Sequence, residues 1–373
     1  MKALLSFLIG ASVVAYSTYD MLGSADPWAS KLLDICFDHD NKEKLGANRV
    51  VYTSVFSLLD RTICFYNNFN QSALHDILGA PLSRLMIGAF GTAYALMAFE
   101  GSRFGFKHTL LMAFPIFGLL ANLFGMYAVF NLMWIPLCIH YQNKAHQQAP
   151  SRKSSTWVIS LPEAYGILLA IVLGYFVPGA ILASPLVPED SRLEQELLAI
   201  WLVLPIIIVP AISFCQTLFR KLGSPVDAVA DAALKERLYA AEGKDALERS
   251  YLFLGILNMI LYFGTYLTVA HQGIRVWDSL MLLLDAPKSL PAGIPFEDLG
   301  KLLATRTVLV DLLVLAVGFI FWATLQSGFI VGAVVALITP IVGPAAAISF
   351  YSYYREDTLE SFVNKSTDED KNK

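Results

Sequence analysis

Long apolar runs separated by short polar loops set the rhythm of this chain, and each run approaches the ~20 residues a helix needs to cross a hydrocarbon core. The pattern predicts spans A (83–99), B (109–133, with an apolar extension to about His140), C (162–184), D (197–219), E (251–270), F (307–325) and G (328–352). B is read as one long kinked helix, because two crossings would need about 40 residues and a turn. Residues 1–17 begin Met1-Lys2 and continue apolar, the form of a signal peptide or signal anchor, with a usable but weak cleavage pattern at Ala15 to Ser17. Residues 18–82 read as an amphipathic, partly polar segment, 83–352 as the transmembrane helical domain and 353–373 as a polar C-terminal tail. Within the second segment, 49–69 is apolar apart from Asp60 and Arg61, which marks an interfacial or packed helix rather than a crossing.

Strand-like alternation is absent, so the expected fold class is all-α: a polytopic transmembrane helical bundle of about seven to eight spans. Composition agrees, since 56% of residues are hydrophobic, only 16% are charged and mean hydropathy is +0.55, against about 25% charged in soluble domains. The expected location is a membrane, multi-pass, in the endoplasmic reticulum or another endomembrane. A net charge of -4 favours no nucleic-acid partner. Oligomeric state cannot be read from the chain.

Pro115, Gly118 and Gly125 in B, Pro178 in C, Pro205 and Pro210 in D and Pro340 and Pro344 in G break the spans internally. Proline in a membrane helix frees a carbonyl that neighbours or water must satisfy, so kinked helices around a packed or hydrated interior are expected. The four cysteines, Cys36, Cys64, Cys138 and Cys215, lack metal-ligand spacing and read as small core hydrophobes. A Cys36 to Cys64 disulfide is conceivable only if that segment is lumenal.

Most Lys and Arg of the loops lie after B, after D and in the tail, which the positive-inside rule puts in the cytosol. Residues 18–82 then fall in the cytosol too, in conflict with a cleaved signal peptide and with use of the Asn70-Gln71-Ser72 glycosylation sequon. The conflict is removed if B crosses twice or if 49–69 is a span. With B crossing once, Glu100, Arg103 and His108, His271 and Arg275, and Arg306 and Asp311 all gather at one face.

An ionisable residue at membrane depth is costly and usually has a partner or a task. Glu100 and Arg103, three apart at the end of span A, form either a boundary salt bridge or a proton donor held by a cation. Asp311 sits inside RTVLVDLLVLAVGFIFW and is either a general acid, a partner of Arg306 or a cap on a neighbouring helix. His108 and His271 read first as interfacial residues, and Glu163, at the start of C, as a helix N-terminal carboxylate. Asn122, Asn131, Asn258, Tyr127, Tyr175, Tyr262 and Tyr266 could line a pocket or hold helices together. No Walker loop, dinucleotide fingerprint, HExxH or GxSxG occurs. Asp38, His39 and Asp40 come nearest to a metal motif but lack the paired aspartates of a magnesium-diphosphate cluster. No metal or cofactor is expected.

Phe99-Glu100-Gly101-Ser102-Arg103, then Phe114-Pro115 with Gly118, Asn122 and Gly125, then Leu173-Gly174-Tyr175 with Pro178 resemble the fungal integral-membrane terpene cyclases of meroterpenoid pathways, of the ascochlorin, ascofuranone and macrophorin type. The likeness covers roughly 83–214. Asn122 stands where a glutamine is expected, and the D to E loop is long and charged. The resemblance implies metal-independent cyclisation of a prenylated, lipophilic small-molecule substrate taken from membrane lipid. Protonation of an epoxide or alkene starts it. On that reading Glu100 is the leading acid, Arg103 orients it, Asp311 is a second acid or base, His108 is a candidate base, and Asn122, Tyr127, Tyr175 and Tyr262 bind substrate. The competing readings are a transporter that uses intramembrane acids and a non-catalytic membrane scaffold.

Overall fold

The computed structural model describes residues 2–37, 52–53, 55–148, 157–285 and 293–371, so the motif at Asp38, His39 and Asp40 lies outside the described residues. All regular structure among them is helical. The helices are α1 (Lys2–Phe37), α2 (Ser57–Leu74), α3 (Gly79–Ser102), α4 (Phe114–Phe124), α5 (126–148), α6 (Leu161–Leu182), α7 (Arg192–Leu222), α8 (Ala232–His271), α9 (Val276–Asp285), α10 (Phe296–Ser327), α11 (Phe329–Val342) and α12 (Pro344–Lys371). Six are long and apolar enough to cross a membrane, namely the first part of α1 together with α3, α6, α7, α8 and α10. The all-helical membrane bundle expected from the sequence is therefore present, but the count of seven to eight spans is not.

Spans B and G account for the difference. The Cα of Gly101 lies against the Leu111 carbonyl where B begins, and Gln142 near its end reaches Glu100 at 3.5 Å, so both ends of B sit beside the C-terminus of α3. Between them the chain turns back at Gly125, whose φ of +88° is a conformation that only glycine adopts without strain. B is thus α4 going in and α5 coming out, a re-entrant hairpin rather than one kinked helix. The length argument failed because a hairpin that turns around part-way needs fewer residues than two full crossings. G repeats the device: α11 and α12 meet at Gly343, with φ of +91°, and Arg355 of α12 returns to Glu100.

The hairpins also reorder the faces. Along α10, Asp311 precedes Gln326 by fifteen residues, about 22 Å at helical rise, and Gln326 donates to Gln142 beside Glu100. Tyr251 packs on Phe99 and Asn258 on Thr92, so α8 runs antiparallel to α3 and carries His271 away from Glu100. The expected gathering of Glu100, His108, His271, Arg306 and Asp311 at one face is corrected accordingly: Glu100, Arg103 and His108 are at one face, and the others lie towards the opposite one.

At that opposite face α2 lies packed rather than crossing. Cys64 on it is joined to Cys36 of α1 by a disulfide, and Phe69 packs on Trp28. The reading of these two cysteines as free core residues is thereby corrected, while Cys138 and Cys215 are buried and free as expected. α1 continues unbroken through the expected boundary at 17, with Gly10 against the Asn131 carbonyl, Thr18 bonded to Tyr127 and Asp20 to Arg306.

A second-order regularity follows. α1 and α3 cross in opposite directions and are followed by the α4–α5 hairpin; α8 and α10 do the same and are followed by α11–α12. Both hairpins enter from the Glu100 face. The first rests on α10 at Asp311 and the second on α3 at Glu100, so each hairpin packs on the other unit's returning helix.

The orientation conflict disappears with the hairpins. The six Lys and Arg of residues 220–249 and both hairpin ends share the Glu100 face, which the positive-inside rule predicts to be cytosolic, and the disulfide lies on the other, where an oxidising compartment would support it. In sealed microsomes, a membrane-impermeant maleimide is expected to label Lys221→Cys directly and Gln272→Cys only after permeabilisation. Equal labelling of both from outside would rule this orientation out.

Candidate functional site

Among the described residues, two clusters of buried polar groups are built on the carboxylates of Glu100 and Asp311. At the Glu100 face a fully buried carboxylate is clamped by two arginines. Glu100 Oε1 accepts from Arg103 Nε at 3.0 Å, Arg103 Nη2 at 2.8 Å and Arg355 Nη1 at 2.7 Å, and Oε2 accepts from Arg355 Nη2 at 3.3 Å. Arg103 also donates to both oxygens of Glu356, at 2.5 and 3.1 Å, and to the Trp157 carbonyl at 2.7 Å. The Arg355 guanidinium lies 4.9 Å from the centre of the Trp322 ring. Two acids and two bases therefore balance, each with charge-assisted bonds, in the one arrangement that makes burial of four charges tolerable.

So held, Glu100 is an ionised carboxylate with its lone pairs taken. That is the opposite of what a proton donor needs. His108 is exposed at φ +72°, and its side chain bonds to none of Glu100, Arg103 or Asp311. Lys107 instead reaches Glu163 at 2.6 Å, and Glu163 closes a capping box with Ser160 at the start of α6, the structural role its position suggested.

The second cluster is centred on Asp311. Its Oδ1 accepts the Tyr127 amide at 2.9 Å, and the Met126 amide also bonds to the carboxylate. These are the first amides after the Gly125 break, which have no carbonyl a turn earlier to bond. Asp311 therefore caps α5, one of the alternatives the sequence left open. Arg306 pairs with Asp20 at 2.6 Å, not with Asp311. Among the described residues Asp311 has no Lys, Arg or His partner. Its Oδ2 faces the Cα of Gly125.

Beside it stand aromatic rings and amides. Tyr94 donates to the Gly118 carbonyl and to Asn122 Oδ1, both at 2.9 Å, and Asn122 Nδ2 donates to the carbonyls of Trp201 and Leu202 at 3.0 Å. Tyr175 lies 5.1 Å from Tyr94 and 4.4 Å from Trp201 between ring centres, fully buried, with a hydroxyl that has no partner among the described residues. Both tyrosines are within electrostatic reach of Asp311. Asn122, Tyr127 and Tyr175 thus belong to the Asp311 side of the interior. Tyr262 does not: its hydroxyl donates to the Pro340 carbonyl and its ring abuts Gly343, in a separate, very small recess at the second hairpin, lined also by Leu85, Gly88 and Asn258.

Sequence reading missed Arg355, Glu356 and Gln142, which complete the first cluster. The one available signal was the abrupt Arg355-Glu356-Asp357 at the end of an apolar run, and nothing local says that it meets Glu100. Removing one member of a buried charge set costs about 3–5 kcal/mol. Glu100→Gln is expected to lower the melting temperature in detergent sharply, and adding Arg355→Met should restore much of it by rebalancing charge. Equal melting of the single and double variants would show that charge balance is not what holds this end together.

Comparison with known proteins gives one family. The CtvD domain model matches residues 39–359. No curated protein and no solved structure matches the chain. With the match running from before α2 into α12 and so through both hairpins and both polar clusters, the chain belongs to the CtvD domain family.

Proposed function

We propose that the protein is an integral-membrane terpene cyclase of meroterpenoid biosynthesis, and that Asp311 is the acid that starts the reaction. The observation that carries this is an uncompensated carboxyl at membrane depth: Asp311 is buried and bonded to backbone amides, and among the described residues it has no cation to hold it ionised. Glu100 has two. The family match supports the reading, since CtvD domains are associated with fungal meroterpenoid cyclase-like proteins, and so does the resemblance carried by 99–125 and 173–178.

In the proposed step the Asp311 carboxyl gives its proton to the oxygen of a terminal epoxide, or to an alkene carbon. The carbon–oxygen or π bond breaks, and the resulting cation is attacked by a neighbouring alkene to close a ring. Loss of a proton from carbon, returned to the Asp311 carboxylate, completes an isomerisation that consumes no co-reactant. Tyr94, Tyr175 and Trp201 supply ring faces able to stabilise positive charge. Asn122 and Tyr127 hold the hairpin that shapes the site. Glu100 and Arg103 act as positioning residues, fixing where the two hairpins begin and end. The substrate class is a prenylated, lipophilic molecule reaching the site from lipid, in an endomembrane.

The paired re-entrant hairpins favour one other reading, a transporter, because broken helices at membrane depth line substrate paths in such proteins.

Microsomes carrying the protein and fed a farnesylated phenol or its terminal epoxide should yield a cyclised product. Asp311→Asn keeps an oxygen for the Tyr127 amide, so it should fold normally yet lose about 100-fold or more of that product. An Asp311→Asn protein that cyclises at the wild-type rate would remove Asp311 as the acid. A wild type inert on a panel of such substrates but active in vesicle uptake would establish the transporter.

A further inference from the structure

Away from both clusters, on the disulfide face, three donors from three segments converge. His75 caps the C-terminus of α2, Asp190 sits in the loop before α7 and Glu194 lies in the first turn of α7. The imidazole bridges the two acids: Nε2 lies 2.8 Å from Glu194 Oε1 and Nδ1 3.6 Å from Asp190 Oδ1. One donor atom from each of the three residues lies within 4.8 Å of the others. We propose that His75, Asp190 and Glu194 form a binding site for a divalent cation of the zinc or manganese type, which clasps α2 to α7.

Three features lead there. Ligands on one first-row ion, each about 2.0–2.2 Å from it, stand about 3 Å apart, so the His75–Glu194 pair is already spaced for a shared metal. An imidazole with carboxylates suits zinc and manganese better than the all-oxygen sets that hold calcium or magnesium. The charge also fits: two carboxylates match a divalent ion, and among the described residues neither has a Lys or Arg partner.

The independent pointer is Gln71, one turn before His75 on α2. It is 4% exposed, and its Nε2 donates to Glu194 Oε2 at 2.9 Å. Its Oε1 is buried and has no hydrogen-bond partner among the described residues. A buried amide oxygen left without a donor is costly, and it belongs to the amide that already touches the Glu194 carboxylate through Nε2. A half-turn of the amide would bring Oε1 to the same cation, as a fourth donor. Gln71 and His75 are four apart and share one face of α2, so the site grows from helical spacing. With the disulfide at Cys64, the clasp would fasten α2 at two points.

The test uses the full chain carrying a non-histidine tag, stripped with EDTA and dialysed against ZnCl2, with MnCl2 and MgCl2 in parallel. About one Zn2+ per chain should remain bound by mass spectrometry, with a higher melting temperature, since a ligand that binds only the folded state stabilises it. Mg2+ should do neither. His75→Gln and Glu194→Gln should lose both effects. If either folds poorly, Asp190→Asn serves instead: Asp190 is 58% exposed with φ +56°, a conformation asparagine accepts, and the His75–Glu194 contact stays intact. That variant should fold as wild type and bind Zn2+ at least tenfold more weakly. Zn2+ retention and melting identical in wild type and Asp190→Asn would overturn the proposal and leave a plain His75–Glu194 ion pair.

Discussion

A helix that breaks inside a membrane leaves backbone amides that no water can reach, and the bundle is built around satisfying them. At the first hairpin the break at Gly125 frees the amides of Met126 and Tyr127, and the Asp311 carboxylate takes both. At the second, Pro344 follows the Gly343 break directly, so one of the amides that would need a partner does not exist. The same geometric problem is met by an acid in one hairpin and by an imino acid in the other. Only the first solution places an ionisable group in the interior, and the proposed chemistry is attached to that difference.

The Glu100 network plays the complementary part. A re-entrant hairpin has no anchor on the far side of the membrane, so its depth is set by what holds its two ends. Gln142 ties the end of α5 towards Glu100, and Arg355 with Glu356 ties α12 to Glu100 and Arg103. Four buried charges are an expensive way to make a joint, and a well-packed apolar joint of equal volume is often no less stable. What the charges supply is register. A guanidinium that must meet a particular carboxylate fixes α12 along its axis, and with it the position of Gly343.

How much of this was legible follows from what hydropathy records. The six crossings were visible because each is a long apolar run, and Glu100 and Asp311 stood out because charge is rare there. Hydropathy carries no sign of direction, so 109–140 and 328–352 read as spans like any other. Gly125 and Gly343 were the residues that turned the chain, yet two other glycines in the same runs, Gly118 and Gly332, sit in ordinary helix against close neighbours. Gly118, for one, faces Tyr94 and Pro205. Only long-range contacts such as Gln142 to Glu100 distinguish a hairpin from a kink. The disulfide was hidden for the same reason, because its plausibility depended on which face carries residues 18–82, and that follows from the helix count.

The helix count also governs how the two carboxylates relate. With B taken as a single crossing, Glu100 and Asp311 shared a face and could serve one site together, and the resemblance made Glu100 the leading acid and Asp311 the second. Folding B back separates the two by most of a membrane thickness and gives each a distinct environment. Glu100 keeps its charge because Arg103 and Arg355 surround it. Asp311 has only peptide dipoles for partners, and protonation of its Oδ2 would leave the Oδ1 contact with Tyr127 in place. A group that can change protonation state without releasing the helix it caps can perform both tasks in one fold. Oδ2 lies against the bare Cα of Gly125, where a Cβ would leave too little room, so the residue that turns the hairpin is also the one that lets the acid come close enough to cap it.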